Sequence, residues 1–336
     1  MIRALLAAAC ALAGTPAAAE TVDQVAARYR LAGEVLVARG DTVLLDHGYG
    51  TIAPTGGAKH KAGERWRLAS ITKQVTAVAV MRMVAQGRVD LDAPLGPVLG
   101  TALLNGVSAR MLLTHHSGLA NPDDTPKQPN GFAAFYRADR PDASHCLSRA
   151  GRPNAPFRYN DCDYLLLGAF LESGEGSEGE QDNALFPGTF AKGSEKGVPG
   201  FVRNRPEPAF NLATFGSAGG LVGTARGVFD FDRSLMSGKL LPPEQLKTLW
   251  TPEGNGSYQA LGAWVFPGEL NGCITPKRIM QRDGEIGGVQ VRNFLLPDDD
   301  LVVVVFTNRS SDDFPIGDVR RRKGFAYDLL SAVACA

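Results

Sequence analysis

Trp66-Arg67-Leu68-Ala69-Ser70-Ile71-Thr72-Lys73-Gln74 is the stretch on which the fold turns. It joins a short apolar segment to a helical pattern that runs from Ser70 to Gln86 and stops at Gly87. The apolar residues Ile71, Val75, Val78, Val80, Met83 and Val84 surround most of the circumference, so this helix is expected to be buried rather than half exposed. Ser70 and Lys73 form an S-x-x-K tetrad. At i and i+3 they share a helix face, so the amine can lie beside the hydroxyl. A serine hydroxyl is a poor nucleophile until a base takes its proton and donors receive the oxyanion. With fifteen serines and ten lysines in the chain, roughly 0.4 such tetrads arise by chance, so the weight lies in the context. This one opens a buried helix, where N-terminal amides point at whatever binds there.

Upstream, Glu34–Ala38 and Thr42–Gly48 flank Arg39-Gly40-Asp41 and read as a β-hairpin behind a short helix at 20–32. Downstream, from Leu91 to about Phe210, short helices alternate with loops rich in Pro and Gly, Tyr164–Leu171 being the clearest helical piece. The stretch 172–208 has few apolar anchors and reads as loop. Helices return at 225–237 and 243–249. The last quarter is β-rich, with strands at 262–266, 289–296 and 301–307, and an amphipathic helix at 318–333 closes the chain. Strands at both ends with helices between them imply one sheet assembled from distant parts, with a helical region inserted.

The 336 residues carry 35 Lys+Arg against 35 Asp+Glu and are 44% hydrophobic. That balance removes the electrostatic warrant for nucleic acid or an anionic membrane as partner. Arg3, the apolar run 4–14 and Pro16-Ala17-Ala18-Ala19 form a secretory signal expected to be cut after Ala19, giving a periplasmic or secreted protein. The run is too short for a stable membrane span. Removing 1–19 takes away Arg3 alone and leaves the mature chain near −1. Cys10 leaves with the signal, unless it carries a lipid. Cys146, Cys162, Cys273 and Cys335 then allow three pairings. The preferred one is Cys146–Cys162, which is local, with Cys273–Cys335, which would pin the C-terminus; four reduced thiols are the alternative. No CxxC pair is present, so no zinc site is expected. Neither a G-x-S-x-G elbow nor H-E-x-x-H occurs.

Residues 66–74, followed by Gly87-Arg88-Val89-Asp90-Leu91-Asp92, resemble the serine β-lactamase-like superfamily, closest to the class C β-lactamases, DD-peptidases, D-aminopeptidases and carboxylesterases. Leu112-Leu113-Thr114-His115-His116-Ser117-Gly118-Leu119, Gly219-Gly220-Leu221-Val222 and Leu261-Gly262-Ala263-Trp264 are similar to further segments of that family, in order along the chain. The resemblance implies an α+β, β-lactamase/transpeptidase-like fold: an antiparallel sheet flanked by helices, with sheet parts at about 20–70 and 215–336 and a mainly helical insert at about 71–214. It gives His115 and His116 a structural role.

The family's Y-x-N motif falls on Tyr159-Asn160-Asp161, which would make Tyr159 the phenol that shuttles the proton with Lys73. Asp161 stands where the family has asparagine. It can accept from an ammonium but cannot donate to a substrate amide oxygen. The third motif, K-T-G or H-x-G, falls on Arg282-Asp283-Gly284, counted back from Gly288-Val289. Arg282 keeps a cation there, Gly284 leaves the strand bare for substrate, and the Glu285 amide would join that of Ser70 in the oxyanion hole. Asp161, Asp283 and Glu285 together are expected to set three carboxylates around Ser70 and to disfavour anionic substrates. At about 4 Å and an effective dielectric near 20, one like charge costs on the order of 4 kcal/mol.

The resulting expectation is an exported serine hydrolase that works through an acyl-enzyme and needs no cofactor or metal. Its substrate is a small molecule or peptide: a β-lactam, D-Ala peptide, ester or D-amino amide, with peptidoglycan as a candidate partner. The rival is a catalytically weak binding or sensor protein that holds cell-wall fragments in the same cleft.

Overall fold

The computed structural model describes residues 20–129, 131–137, 143–173, 191–192, 197–254 and 256–335. The export segment 1–19, with Cys10, lies outside the described residues.

The hairpin of β1 (Gly33–Arg39) and β2 (Thr42–Tyr49) forms one edge of a six-stranded antiparallel sheet. Trp66–Arg67 (β3), Ala191–Lys192 (β4) and Leu221–Gly223 (β7) form a second small sheet in the order β3-β7-β4, and β5 (Phe201–Val202) pairs with β6 (Arg205–Pro206). The C-terminal strands β8 (Trp264–Gly268), β9 (Lys277–Ile286), β10 (Val289–Leu296) and β11 (Leu301–Thr307) complete the main sheet in the order β2-β1-β11-β10-β9-β8. Strands from the two ends of the chain therefore meet at β1 and β11, with Gly33 opposite Thr307 and Arg39 opposite Leu301.

All seven residues of β11 are buried because helices cover both faces. Val303 and Val305 pack with Val25 of α1 (Val22–Tyr29) and with Phe325 and Leu329 of the helix Phe325–Ala334. Val302, Val304 and Phe306 face the other way, into the larger core shared with α2 (Thr72–Ala85) and the helix Ala225–Met236. A strand buried on both faces reads as an unbroken apolar run, as Leu301-Val302-Val303-Val304-Val305-Phe306 does. The short helices α3 (Ala109–Leu113) and α4 (Ala143–Cys146) and the longer α5 (Asp161–Glu172) pack as a helical layer in that core. Among the described residues no helix is long and apolar enough to cross a membrane.

Glu34 is buried between β1 and the segment that leads to Ser70. It accepts from Trp66 Nε1 at 2.7 Å and from the Gly63 amide at 2.8 Å. Burial, with Asp46 nearby, pushes its carboxyl up to about 8.

Three segments differ from the sequence reading. Lys277–Ile286 is a ten-residue strand, though Lys277, Arg278, Gln281, Arg282, Asp283 and Glu285 hide its alternation. The closing helix starts at Phe325 rather than near 318: Asp318 Oδ1 takes the amides of Arg320 and Arg321, and Gly324 turns the chain at φ 87°. The basic run Arg320–Lys323 is therefore a turn, not the first turn of a helix. Within 172–208, residues 201–206 form the β5–β6 hairpin, which docks on the sheet through Phe201 N to Asn308 O at 3.0 Å. Cys146 is bonded to Cys162 and Cys273 to Cys335.

Candidate active site

Ser70 lies in a 3₁₀ turn, Ala69–Ile71, that runs directly into α2. The turn is held by Leu68 N to Leu221 O at 2.9 Å and Ile71 N to Leu68 O at 3.0 Å. Ala69 takes a left-handed φ of 45°, a conformation that costs a non-glycine residue of order 1 kcal/mol and needs firm surroundings. Those surroundings include the β3–β7 pairing just before it and the bidentate Arg67–Glu207 ion pair at 2.6 and 2.7 Å. Glu207 also accepts from the amides of Gly200 and Gly288, so one carboxylate ties the Ser70 approach to the β9–β10 turn.

Lys73, 0% exposed, spends all three N–H donors: on Ser70 Oγ at 3.2 Å, Asp161 Oδ1 at 2.7 Å and the Ala218 carbonyl at 2.7 Å. The phenol of Tyr159 also approaches Ser70: its OH lies 2.6 Å from Ser70 Oγ. The same oxygen accepts from Arg282 Nη2 at 2.7 Å, and Lys73 Nζ and Arg282 Cζ lie 4.8 and 5.2 Å from the ring centroid. Tyr159 is thus a phenol between two cations, with its oxygen on Ser70 Oγ.

Asp161, the first residue of α5 after the N-cap Asn160, uses one oxygen for Lys73 and the other for the Tyr136 hydroxyl at 2.7 Å. The Tyr136 ring stacks on Phe215, with centroids 4.2 Å apart. Burial and the neighbouring Asp161 carboxylate hold the Tyr136 phenol in its protonated, donating form. Asp161 can do here what asparagine cannot, which is to neutralise Lys73 and accept from a phenol at once.

Arg282 is 0% exposed. Its Nε donates to the Ser70 carbonyl at 3.0 Å, and its guanidinium lies 5.2 Å from the Trp264 ring centroid. β8 pairs with β9 only as far as Gln281, so the half of β9 that carries Arg282–Ile286 offers an open edge to the Ser70 turn. A Cβ on Gly284 would come within 2.9 Å of both the Ser70 amide and the Leu68 carbonyl, so only glycine allows this contact.

The expected crowd of three carboxylates around Ser70 is not formed. Asp283 faces Arg292 across the β9–β10 ladder, at 3.2 Å, and accepts from Gln281 Nε2 at 2.8 Å. The Glu285 side chain accepts from the Ser311 amide at 2.9 Å. Cross-strand register and a loop amide draw both acids away, and Asp161 alone of the three bonds Lys73.

Sequence reasoning missed Tyr136 and Arg292, whose partners lie on other elements, and the buried pair His115–Asp163 behind Tyr159, Nδ1 to Oδ2 at 3.1 Å. His115 was legible only as part of a segment similar to the family. Among the described residues no group of three or more His, Cys, Asp or Glu side chains is arranged to hold a metal.

A family model described as Beta-lactamase matches residues 18–325. Esterase EstB of Burkholderia gladioli is 38% identical over 105 residues, which are 29% of this chain and 27% of the esterase; the match thus spans about a quarter of that relative's length. D-amino acid amidase of Ochrobactrum anthropi SV3, solved with L-phenylalanine amide, superposes with a TM-score of 0.73 at 18% identity, over 93% of this chain and 96% of that one. A penicillin binding protein from Bacillus halodurans gives a TM-score of 0.71 at 21% identity, over 93% and 98%. At these identities the two structures speak for the fold.

Proposed function

The chain belongs to the beta-lactamase family of serine hydrolases, and from that premise we propose that it cleaves an ester or amide lacking a carboxylate handle, through an acyl-enzyme on Ser70. The observation that carries this is the Tyr159 hydroxyl, 2.6 Å from Ser70 Oγ and 2.7 Å from Arg282 Nη2.

Tyr159, reacting as its phenolate, receives the Ser70 proton as Oγ attacks the carbonyl carbon. Lys73 and Arg282 lie beside the phenol and offset the negative charge its oxygen carries until that proton arrives. The amides of Ser70 and Glu285 hold the tetrahedral oxyanion. Tyr159 then returns the proton to the leaving alcohol or amine, and the acyl group stays on Ser70. A water then enters, gives up its proton to Tyr159 and adds its oxygen to the acyl carbon. Tyr159 passes that proton to Ser70 Oγ as the acyl bond to serine breaks, which restores both groups.

The preference for substrates without a carboxylate rests on burial. Arg282 falls on the cation of the third motif, yet it and Lys73 are each 0% exposed: Lys73 spends its donors inside the protein, and Arg282 donates from Nε and Nη2 and keeps Nη1 buried without a partner. An anionic substrate would meet neither cation directly. This replaces the repulsion argument drawn from Asp283 and Glu285. Esterase and amidase chemistry among the relatives is compatible with such a site.

We further propose that residues 1–19 direct export, with both disulfides formed afterwards, and that 20–336 work as one hydrolase unit. The test is turnover of nitrocefin, a short-chain nitrophenyl ester and a D-amino-acid nitroanilide by wild type and Ser70→Ala. Turnover of the ester or anilide, lost with Ser70, is expected. Nitrocefin turned over faster than both would refute the substrate class. No turnover and no fluorophosphonate labelling of wild type would favour a binding protein instead.

A further inference from the structure

We propose that His115, braced by Asp163, is the positioning residue that sets the Tyr159 phenol over Ser70. The inference rests on the proton-transfer role given to Tyr159 above. Tyr159 is 37% exposed, so its position depends on the groups packed against the rest of it. His115 is one of them. Its ring lies 4.6 Å from the Tyr159 ring, centroid to centroid, at 45°. Its main-chain carbonyl accepts from the Arg158 amide at 3.0 Å, and its Nδ1 lies 3.2 Å from the Asn160 amide, which points at it. The residues immediately before and after Tyr159 are therefore both fastened to His115.

His115 is itself fixed to an unusual degree. It takes a left-handed φ of 63°, uncommon for a residue with a side chain, and is 1% exposed. Asp163, 0% exposed, sets its Oδ2 3.1 Å from His115 Nδ1 and takes the Ser117 hydroxyl on Oδ1 at 2.5 Å. Tyr164 closes the far side, its ring centroid 5.3 Å from that of His115 and its OH bonded to the Leu113 carbonyl at 2.8 Å. Burial, with Arg282 and Lys73 nearby, holds His115 in its neutral form, and burial pushes the Asp163 carboxyl up. The device therefore adds no third cation beside the phenol. A histidine that served packing alone would have no need to bind both neighbours of one exposed tyrosine.

Three variants separate ring from acceptor. His115→Ala removes both. His115→Asn tolerates the left-handed backbone and keeps an acceptor for the Asn160 amide, but loses the ring. His115→Phe keeps a ring and loses the acceptor. Fluorophosphonate labelling of wild type, lost in Ser70→Ala, is the control that the catalytic reading stands. With that control in place, kcat on a short-chain nitrophenyl ester is expected to fall about 10²-fold in His115→Ala and about 10-fold in His115→Asn. KM should stay within threefold, and labelling should slow in step with kcat. Rates are compared where each variant keeps the wild-type near-ultraviolet circular dichroism. If His115→Ala does not fold, His115→Asn and His115→Phe carry the test. Folded variants with kcat within threefold of wild type would overturn the proposal. So would a loss expressed in KM alone.

Discussion

Replacing Arg282 by methionine removes a buried guanidinium and keeps much of its length, which isolates what the charge does. Arg282 Nη2 lies 2.7 Å from the Tyr159 oxygen. At an effective dielectric near 20, a full phenolate at that distance would gain about 6 kcal/mol from the cation. Counted from a neutral phenol that must first ionise, the transition state with the Ser70 proton half transferred still carries roughly half of that charge, so about 3 kcal/mol is at stake, or ~10² in rate. Arg282→Met should therefore lower kcat/KM on a nitrophenyl ester about 10²-fold. Arg282→Lys, which keeps a charge but loses the fork to the Ser70 carbonyl, should lose about 10-fold. Stability should change less than activity, because losing two hydrogen bonds is offset by no longer burying a cation. A double-mutant cycle completes the assay: in a Tyr159→Phe background the oxygen is gone, and Arg282→Met should cost less than threefold more. An Arg282→Met enzyme within threefold of wild type, or equal losses with and without the Tyr159 hydroxyl, would refute the reasoning.

Other expectations follow from the same geometry. Gly284→Ala should cost at least 10²-fold in kcat/KM, because a Cβ 2.9 Å from the Ser70 amide pushes β9 off the nucleophile; steady-state kinetics check it, and near-normal rates would contradict it. The two disulfides should separate: replacing Cys146 and Cys162 by serine should cost about 3 kcal/mol and also activity, since Cys162 follows Asp161. The 62-residue closure of Cys273–Cys335 should cost about 4 kcal/mol with activity retained in the folded protein, as read by urea unfolding and ester turnover. Glu34, held up to about 8 in the fold against 4.5, keeps a proton that the unfolded chain releases. Its contribution is greatest below about pH 4.5 and is lost as pH rises to about 8, a swing of a few kcal/mol. Urea midpoints should fall from pH 5 to 9 in wild type and flatten in Glu34→Gln; equal slopes would count against the assignment.

What could be read in advance was local or periodic, or came with the family resemblance, as Tyr159, Asp161 and Arg282–Glu285 did. The S-x-x-K face, the β1–β2 hairpin and the apolar run of β11 follow from spacing alone. Lys277–Ile286 escaped as a strand because its polar residues serve pairs made elsewhere: Asp283 with Arg292 in the next strand, Arg282 with Tyr159 123 positions away. The charge crowding inferred around Ser70 failed for the same reason. A list of acids near a motif says nothing about which way the register turns them. The His115–Asp163 pair joins residues 48 apart on different elements, and neither residue announces itself.

The placement of β1 against β11 bears on how the molecule comes into being. Gly33 must wait for Thr307 before the middle of the sheet can close, and β9, which flanks Ser70, reaches β1 only through β10 and β11. Closing so long a loop before any contact rewards it makes folding slow. A growing chain therefore carries Ser70 for most of its synthesis without β9, the strand that flanks it. The sheet behind Ser70 is continuous only once β11 has joined β10 to β1.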